Sequence, residues 1–124
     1  MSTILLSIKP EYADKIFSNE KKYEFRRHLA KKDVTKILVY STSPVMMVVG
    51  EVEVVGTLSL SPSPLWEITK QAAGISRAKF RAYFAGRRLG YAYKLGKVQK
   101  YNEPKPLSAY NIHSAPQSLI YIEE

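Results

Sequence analysis

Residues 19–27 have the sequence NEKKYEFRR, which concentrates charge on a segment that also carries two aromatic side chains. Side chains alternate between the two faces of a β-strand. If this segment is a strand, Tyr23 and Phe25 share one face, which can build a core. The opposite face then carries three charged side chains, those of Lys22, Glu24 and Arg26. This second face is available for ligand binding or catalysis.

The turn before this strand brings a further lysine close to the charged face. Asn19 belongs to the few residue types that tolerate left-handed backbone geometry, so it can close a preceding helix and reverse the chain. Lys21 follows in the turn, where its amine can reach the charged face. A lysine beside a second cation has a lowered pKa, while a carboxylate between cations stays ionised and orients them.

Four residues form the candidate site at this point: Lys9, Lys21, Glu24 and Arg26. Such a set can hold a phosphate, or its lysine can act as base or nucleophile once it is partly desolvated. We therefore take Lys21 and Glu24 as candidate catalytic residues. The alternative is an ion-pair network that only locks the first helix to the neighbouring strands.

The charge of the chain favours an anionic partner. The 124 residues include 19 basic and 11 acidic side chains, which gives a net charge of +8. All the basic side chains except Lys9 and Lys70 lie in residues 15–36 and 77–105, and the second block contains a single acid, Glu103. Nucleic acid is the commonest partner of such basic proteins, whereas the alternative is a solubilising surface.

Composition excludes several classes of protein. The length fits one domain over residues 1–124, and the chain has no cysteine and only two histidines, which are too few for a histidine-based zinc site. We therefore expect no metal and no cofactor. There is neither a membrane-spanning apolar run nor a secretory signal pattern, so we expect a cytoplasmic protein, and we expect a monomer.

Hydrophobic periodicity predicts alternating strands and helices. Ser63 and Ser76 are expected to cap the second and third helices. The strands are predicted at residues 3–8, 35–40, 45–60, 89–101 and 119–122, in addition to the charged strand, and the helices at 10–18, 64–74 and 77–85. Residues 102–106 are expected to form a loop and residues 107–110 a single helical turn.

The pattern Asn-x-Lys-x-x-Glu-x-Arg at residues 19–26 resembles the G-x-K-x-x-E-x-R signature of ASCH domains. Three more segments are similar to the same family: residues 6–10 (LSIKP), 39–44 (VYSTSP) and 115–118 (APQS). The resemblance implies an α+β fold, a PUA-like small β-barrel of about five to six strands with flanking helices. Asn19 departs from the family's glycine, but the same turn geometry is available to it.

The resemblance also implies a function and a set of contacts. ASCH domains are associated with RNA binding and with roles in transcription, RNA processing or translation. A cationic cleft at the barrel mouth would then bind RNA or single-stranded nucleic acid, or a nucleoside, and single-stranded or flipped bases suit a small pocket better than a duplex groove does. The candidate contacts are Lys9, Lys21, Lys22, Glu24, Arg26, Arg27, Ser41, Ser43, Gln117 and Ser118. The hydroxyl and amide groups among them could instead satisfy backbone groups at strand ends.

An enzyme is the second hypothesis, because a few family members are an amidohydrolase of acylated cytidine or a ribonuclease. The amidohydrolase members carry a hydroxyl residue where this chain has Glu24, and a glutamate in the later helical region. Here residues 69–85 contain no acid, and only Glu67 is close by. A ribonuclease could use Lys21, Tyr23, His28 or His113, although a lone histidine in a basic loop is more often a solvent-exposed residue. A protein-interaction adaptor is the third hypothesis.

Overall fold

Six strands and three α-helices make up the computed structural model, which describes residues 1–123. The strands are β1 (Ser2–Ile8), β2 (Tyr23–Arg26), β3 (Val34–Ser41), β4 (Met47–Leu60), β5 (Gly90–Lys105) and β6 (Leu119–Ile122). The helices are α1 (Pro10–Phe17), α2 (Pro62–Thr69) and α3 (Arg77–Tyr83), and short 3₁₀ turns lie at Lys70–Ala72 and Leu107–Tyr110. This is the α+β fold that the sequence predicts.

The strands form one mixed sheet in the order β2-β5-β4-β3-β1-β6. β1 and β3 are parallel, and the other neighbouring pairs are antiparallel. Parallel neighbours need a long connection, which here consists of α1 and β2. That connection places β2 at one edge of the sheet, directly after the turn that carries Lys21.

The sheet curls until its distant strands meet, as expected for a small barrel-like fold. Three strands separate β2 from β1 in the sheet order, yet the Arg26 Nη2 atom on β2 donates a hydrogen bond to the Ser7 carbonyl on β1 at 2.9 Å. The curl comes from β4 and β5, whose register shifts around Gly50 and Gly56. Such irregularities bend strands and increase their twist.

Two apolar clusters position the site. The larger one lies between the sheet and α1, with Ile4, Ile16 and Ile37 at its centre. The second lies under α2 and α3 and packs the rings of Phe25, Phe80 and Phe84 edge to face. Phe25 thus anchors β2 to the helical layer, as its predicted core role requires. The opposite face of β2 is left facing α1 and the end of β1.

Single-residue signals in the sequence predict most of the helix and strand boundaries correctly. Asn19 has a φ of 66°, and the Ser76 side chain accepts a hydrogen bond from the Lys79 backbone N–H, as predicted. The prediction for the second helix is wrong at both ends. α2 begins at Pro62, with Ser61 rather than Ser63 at the N-cap, because both prolines of this segment follow a serine and either can occupy the first turn. It ends at Thr69, where the chain tightens into the 3₁₀ turn. The predicted loop at 102–106 is wrong through Lys105, because β5 continues to pair with β4 there.

Candidate functional site

A cleft of about 540 Å³ opens where β2, α1, α3 and the end of β1 converge. Its walls combine charged side chains with aromatic and aliphatic ones. The lining residues are Ser7, Ile8, Lys9, Tyr12, Lys21, Glu24, Phe25, Arg26, Ile75, Lys79, Ala82 and Tyr83. All four residues of the predicted charged set are therefore brought together in one cavity.

Lys21 is buried in this cleft, with only 3% of its surface exposed. Its Nζ atom donates a hydrogen bond to the Ala73 carbonyl at 2.7 Å and lies over the rings of Tyr12 and Phe25, at 5.3 and 4.9 Å from their centroids. Burial lowers the pKa of the Lys21 amine, and attraction by Glu24 opposes this effect in part. The amine is thus held in one place, and at a given pH a larger fraction of it is unprotonated than in an exposed lysine.

Gly74 makes room for the lysine side chain. Its φ of +66° lies in the left-handed region, and a Cβ atom built on it would come within 2.5 Å of the Lys21 Cβ atom. The same segment is fixed to the lysine turn, because the Lys22 backbone N–H donates to the Ala72 carbonyl at 2.8 Å. A glycine is therefore required at this position on two counts.

Glu24 and Arg26 form an ion pair within β2, and Arg26 also links β2 to β1. The Arg26 Nε and Nη2 atoms lie 3.0 and 2.8 Å from Glu24 Oε2, and Nη2 also donates to the Ser7 carbonyl. The Ser7 hydroxyl in turn donates to the Pro116 carbonyl at 2.8 Å. This chain of contacts fixes the carboxylate, the guanidinium and the segment after Leu107–Tyr110 around one side of the cleft.

The other predicted contact residues lie outside the cleft lining. The Lys22 side chain is exposed, and the Arg27 guanidinium stacks over the Tyr83 ring at 4.3 Å while its Nε atom donates to the Tyr83 carbonyl. Ser41 is buried in β3 opposite Ile8. Three residues are exposed and do not line the cleft: Ser43, Gln117 and Ser118.

Several residues of the cleft were not among the contact residues predicted from the sequence. Lys79 and Tyr83 are four residues apart, so both lie on the same face of α3 and contribute to one wall. That helical spacing is a signal, but only the folded chain shows that this face meets β2. Tyr12 on α1 and Ile75 before α3 also line the cavity, and they owe their position to tertiary packing alone.

The two histidines do not contribute to the cleft lining. His28 and His113 are exposed, and the His28 ring lies 3.5 Å from the Arg87 guanidinium. Acid–base chemistry in the cleft would therefore depend on lysine, tyrosine or carboxyl groups. Across residues 1–123, no cluster of three or more metal-ligating side chains is arranged to hold a metal ion. In the same part of the chain, no helix is long and apolar enough to span a membrane.

The buried amine predicts a pH dependence of stability. Because the folded pKa of Lys21 is below its unfolded value of 10.5, the unfolded chain binds more protons in the interval between the two. The free energy of unfolding of the wild type should therefore rise relative to Lys21→Met as pH increases through that interval towards 10.5. Urea unfolding of both proteins at a series of alkaline pH values measures this difference. A difference in the free energy of unfolding that does not change with pH would contradict the prediction.

Comparison with known proteins identifies relatives over most of the chain. Residues 6–112 match the ASCH domain. A curated protein named ASCH domain-containing ribonuclease, from Zymomonas mobilis, is 30% identical over 92 residues, which are 73% of this chain and 62% of the relative. The crystal structure of ASCH from Z. mobilis superposes with a TM-score of 0.91 at 27% identity, covering 99% of this chain and 89% of that one.

Two further relatives are longer proteins from Ureaplasma parvum serovar 3 that match this chain over part of their length. A protein named ATP synthase subunit alpha is 34% identical over 122 residues, which are 98% of this chain but 15% of that protein. A protein named large ribosomal subunit protein uL22 is 32% identical over 122 residues, or 39% of its length. The chain therefore spans less than half the length of these two relatives.

Proposed function

Because this chain belongs to the ASCH domain family, we propose that it binds RNA by taking a single-stranded or flipped nucleotide into the cleft around Lys21. The observation that carries the proposal is the cleft itself, in which cations surround aromatic walls. Its volume of about 540 Å³ suits a small ligand such as a nucleoside. A duplex would present only its outer surface to so small a cavity, whereas an unstacked base can enter it.

Different parts of the cleft suit different parts of a nucleotide. Tyr12 and Tyr83 line the cleft and are only partly buried, so a base would stack on the ring surface that Lys21 and Arg27 leave uncovered. Lys9 and Lys79 supply cations for phosphate oxygens on opposite walls, one just after β1 and the other on α3. The fixed Glu24 carboxylate accepts hydrogen bonds and can discriminate among base edges.

The test is affinity for a short single-stranded RNA across a salt series. We expect Lys9→Gln/Lys79→Gln to weaken binding by roughly tenfold or more and to reduce the slope of log K against log salt by about 1.4, at about 0.7 per lost phosphate contact. The control variant Lys97→Gln/Lys100→Gln removes the same charge from exposed positions on β5 that do not line the cleft.

Two results would contradict the proposal. One is wild-type affinity that does not change with salt, because phosphate contacts release counterions. The other is equal loss of affinity in both double variants, which would show that only net charge matters and that the cleft does not. Absence of RNA binding by the wild type would remove the proposed function altogether.

Cleavage of RNA in the same cleft is the second candidate, favoured by the ribonuclease name of the Z. mobilis relative and by the buried amine of Lys21. The 2′-oxygen would attack the adjacent phosphorus while a base takes its proton, and the 5′-oxygen would leave with a proton from an acid. Lys21 suits the base and Arg26 suits the developing negative charge. The glutamate expected of an amidohydrolase is not in the cleft, since Glu67 lines a different cavity.

A denaturing gel of the binding mixtures separates the two candidates. RNA that stays intact while its retention depends on Lys9 and Lys79 indicates binding alone. RNA fragments produced by the wild type and lost in Lys21→Met, with binding retained, would indicate a ribonuclease. Fragments produced equally by Lys21→Met would rule out Lys21 as the base.

A further inference from the structure

A second basic cavity lies on the other side of α3. It has a volume of about 560 Å³ and is lined by residues of both α2 and α3. Its cations are Arg77, Arg81 and Arg87, and Trp66 contributes its main aromatic surface. We refer to the space between these four residues as the arginine groove. Neither the ASCH match nor the proposed function assigns a role to it.

The charge of the arginine groove is not neutralised from within. Glu67 is the only acid among the described residues that line it, and its Oε1 atom lies 2.9 Å from the Lys70 amine. Arg77 and Arg81 are exposed and four residues apart, so they lie on one side of α3, about 6 Å apart along its axis. Two adjacent guanidinium groups in such a row suit successive phosphates of a strand.

Arg87 adds an unmet donor at the end of the groove. Its Nη2 atom donates to the Arg27 carbonyl at 3.1 Å, but its Nε atom is buried and has no hydrogen-bond partner among the described residues. Buried donors are nearly always paired in folded proteins. Because this atom is enclosed by protein, any contact of Arg87 with a bound molecule must come from the rest of its guanidinium group, which lines the groove.

Trp66 gives the groove a surface on which a base can stack. Its ring packs against Phe80 with centroids 5.1 Å apart, and it keeps part of its surface accessible. Aromatic rings beside cations are the usual elements of proteins that bind single-stranded nucleic acid. An acidic peptide would use the arginines but would have no need of the indole.

Helix α3 is the shared wall of the two cavities. Lys79 and Tyr83 face the Lys21 cleft, whereas Arg77 and Arg81 line the arginine groove. Arg27 bridges the two sides at the end of the helix, because its guanidinium lies over Tyr83 and its carbonyl accepts from Arg87. A strand can therefore cross α3 without leaving basic surface.

We propose that the arginine groove binds the backbone and a base of the same single-stranded RNA whose neighbouring nucleotide occupies the Lys21 cleft. This inference rests on the proposed function and extends it from one nucleotide to a longer single-stranded footprint. It makes affinity depend on oligonucleotide length, because a short RNA fills the cleft but does not reach across α3.

The experiment compares two RNAs of the same base composition, one of about three nucleotides and one of about twelve, a range that spans typical single-strand site sizes. We expect Arg77→Gln/Arg81→Gln to weaken binding of the longer RNA by roughly tenfold and to reduce the slope of log K against log salt for that RNA by about 1.4. Binding of the shorter RNA should change little. Lys97→Gln/Lys100→Gln is again the control of equal charge, and circular dichroism checks that each variant is folded.

The outcomes separate this inference from the proposed function. If the short RNA depends on Lys9 and Lys79, but the groove variant matches the control on both RNAs, the inference is wrong and the proposed function stands. If the groove variant weakens binding of both RNAs equally, the inference is also overturned, because the arginines would then act only through long-range electrostatic attraction. If neither RNA binds the wild type, both fail together.

Discussion

Gly74→Ala is expected to lower the free energy of unfolding by about 3 kcal/mol, from about 1 kcal/mol for the left-handed backbone and about 2 kcal/mol for overpacking. The added methyl group would meet the Cβ and Cγ atoms of Lys21 at 2.5 and 2.6 Å. The stem of the lysine must then move, and its amine loses its position on the Ala73 carbonyl. We therefore expect RNA affinity, or cleavage if it occurs, to fall as well.

Gly86→Ala is the matched control. Gly86 also has a positive φ, of +75°, but nothing lies within 4 Å of a Cβ atom built on it. This variant should lose only the backbone contribution of about 1 kcal/mol and should keep wild-type affinity. Urea unfolding and RNA titration of the two variants measure the difference. Equal losses in both would show that the packing of Gly74 against Lys21 is not important.

Arg26→Met is expected to destabilise the fold by about 3 kcal/mol, because removing one partner leaves a buried charge uncompensated. Glu24 is only 7% exposed, and the guanidinium is the group that pairs with it and with the Ser7 carbonyl. The substitution also removes the contact that joins β2 to β1 across the curled sheet. Thermal and urea unfolding measure the effect.

A second variant distinguishes loss of the ion pair from loss of packing. Adding Glu24→Gln to Arg26→Met neutralises the stranded carboxylate and should restore part of the lost stability. Lys70→Met breaks an ion pair whose partners are both exposed, and it should unfold like the wild type. If Glu24→Gln brings no recovery, the destabilisation comes from packing or from the Ser7 contact.

Sequence reasoning predicted the fold well because its signals here are local. Asn19 closes α1 and Ser76 caps α3, and each of these depends on the turn or capping preference of one residue. The α+β class and the barrel-like curl follow from such signals together with the ASCH resemblance. The loop predicted at residues 102–106 was wrong because Pro104 does not end the pairing of β5 with β4.

The site was predicted only in part, because a cleft is made by segments far apart in the sequence. The spacing of Lys21, Glu24 and Arg26 revealed one wall, since all three belong to a single turn and strand. The opposite wall, with Lys79 and Tyr83, depends on how α3 packs against β2. Alternation also placed Lys22 on the charged face, but it precedes β2, and its side chain is exposed.

The pairing of the first and last strands has a consequence for protein architecture. β1 and β6 are antiparallel neighbours, and Thr3 lies opposite Ile122. The polypeptide therefore enters and leaves the fold at the same end of one ladder, a few ångströms apart. A unit with adjacent entry and exit points can be inserted into an exposed loop of a host protein without distorting either fold. For the same reason, its ends can be joined by a short linker in a circular permutant.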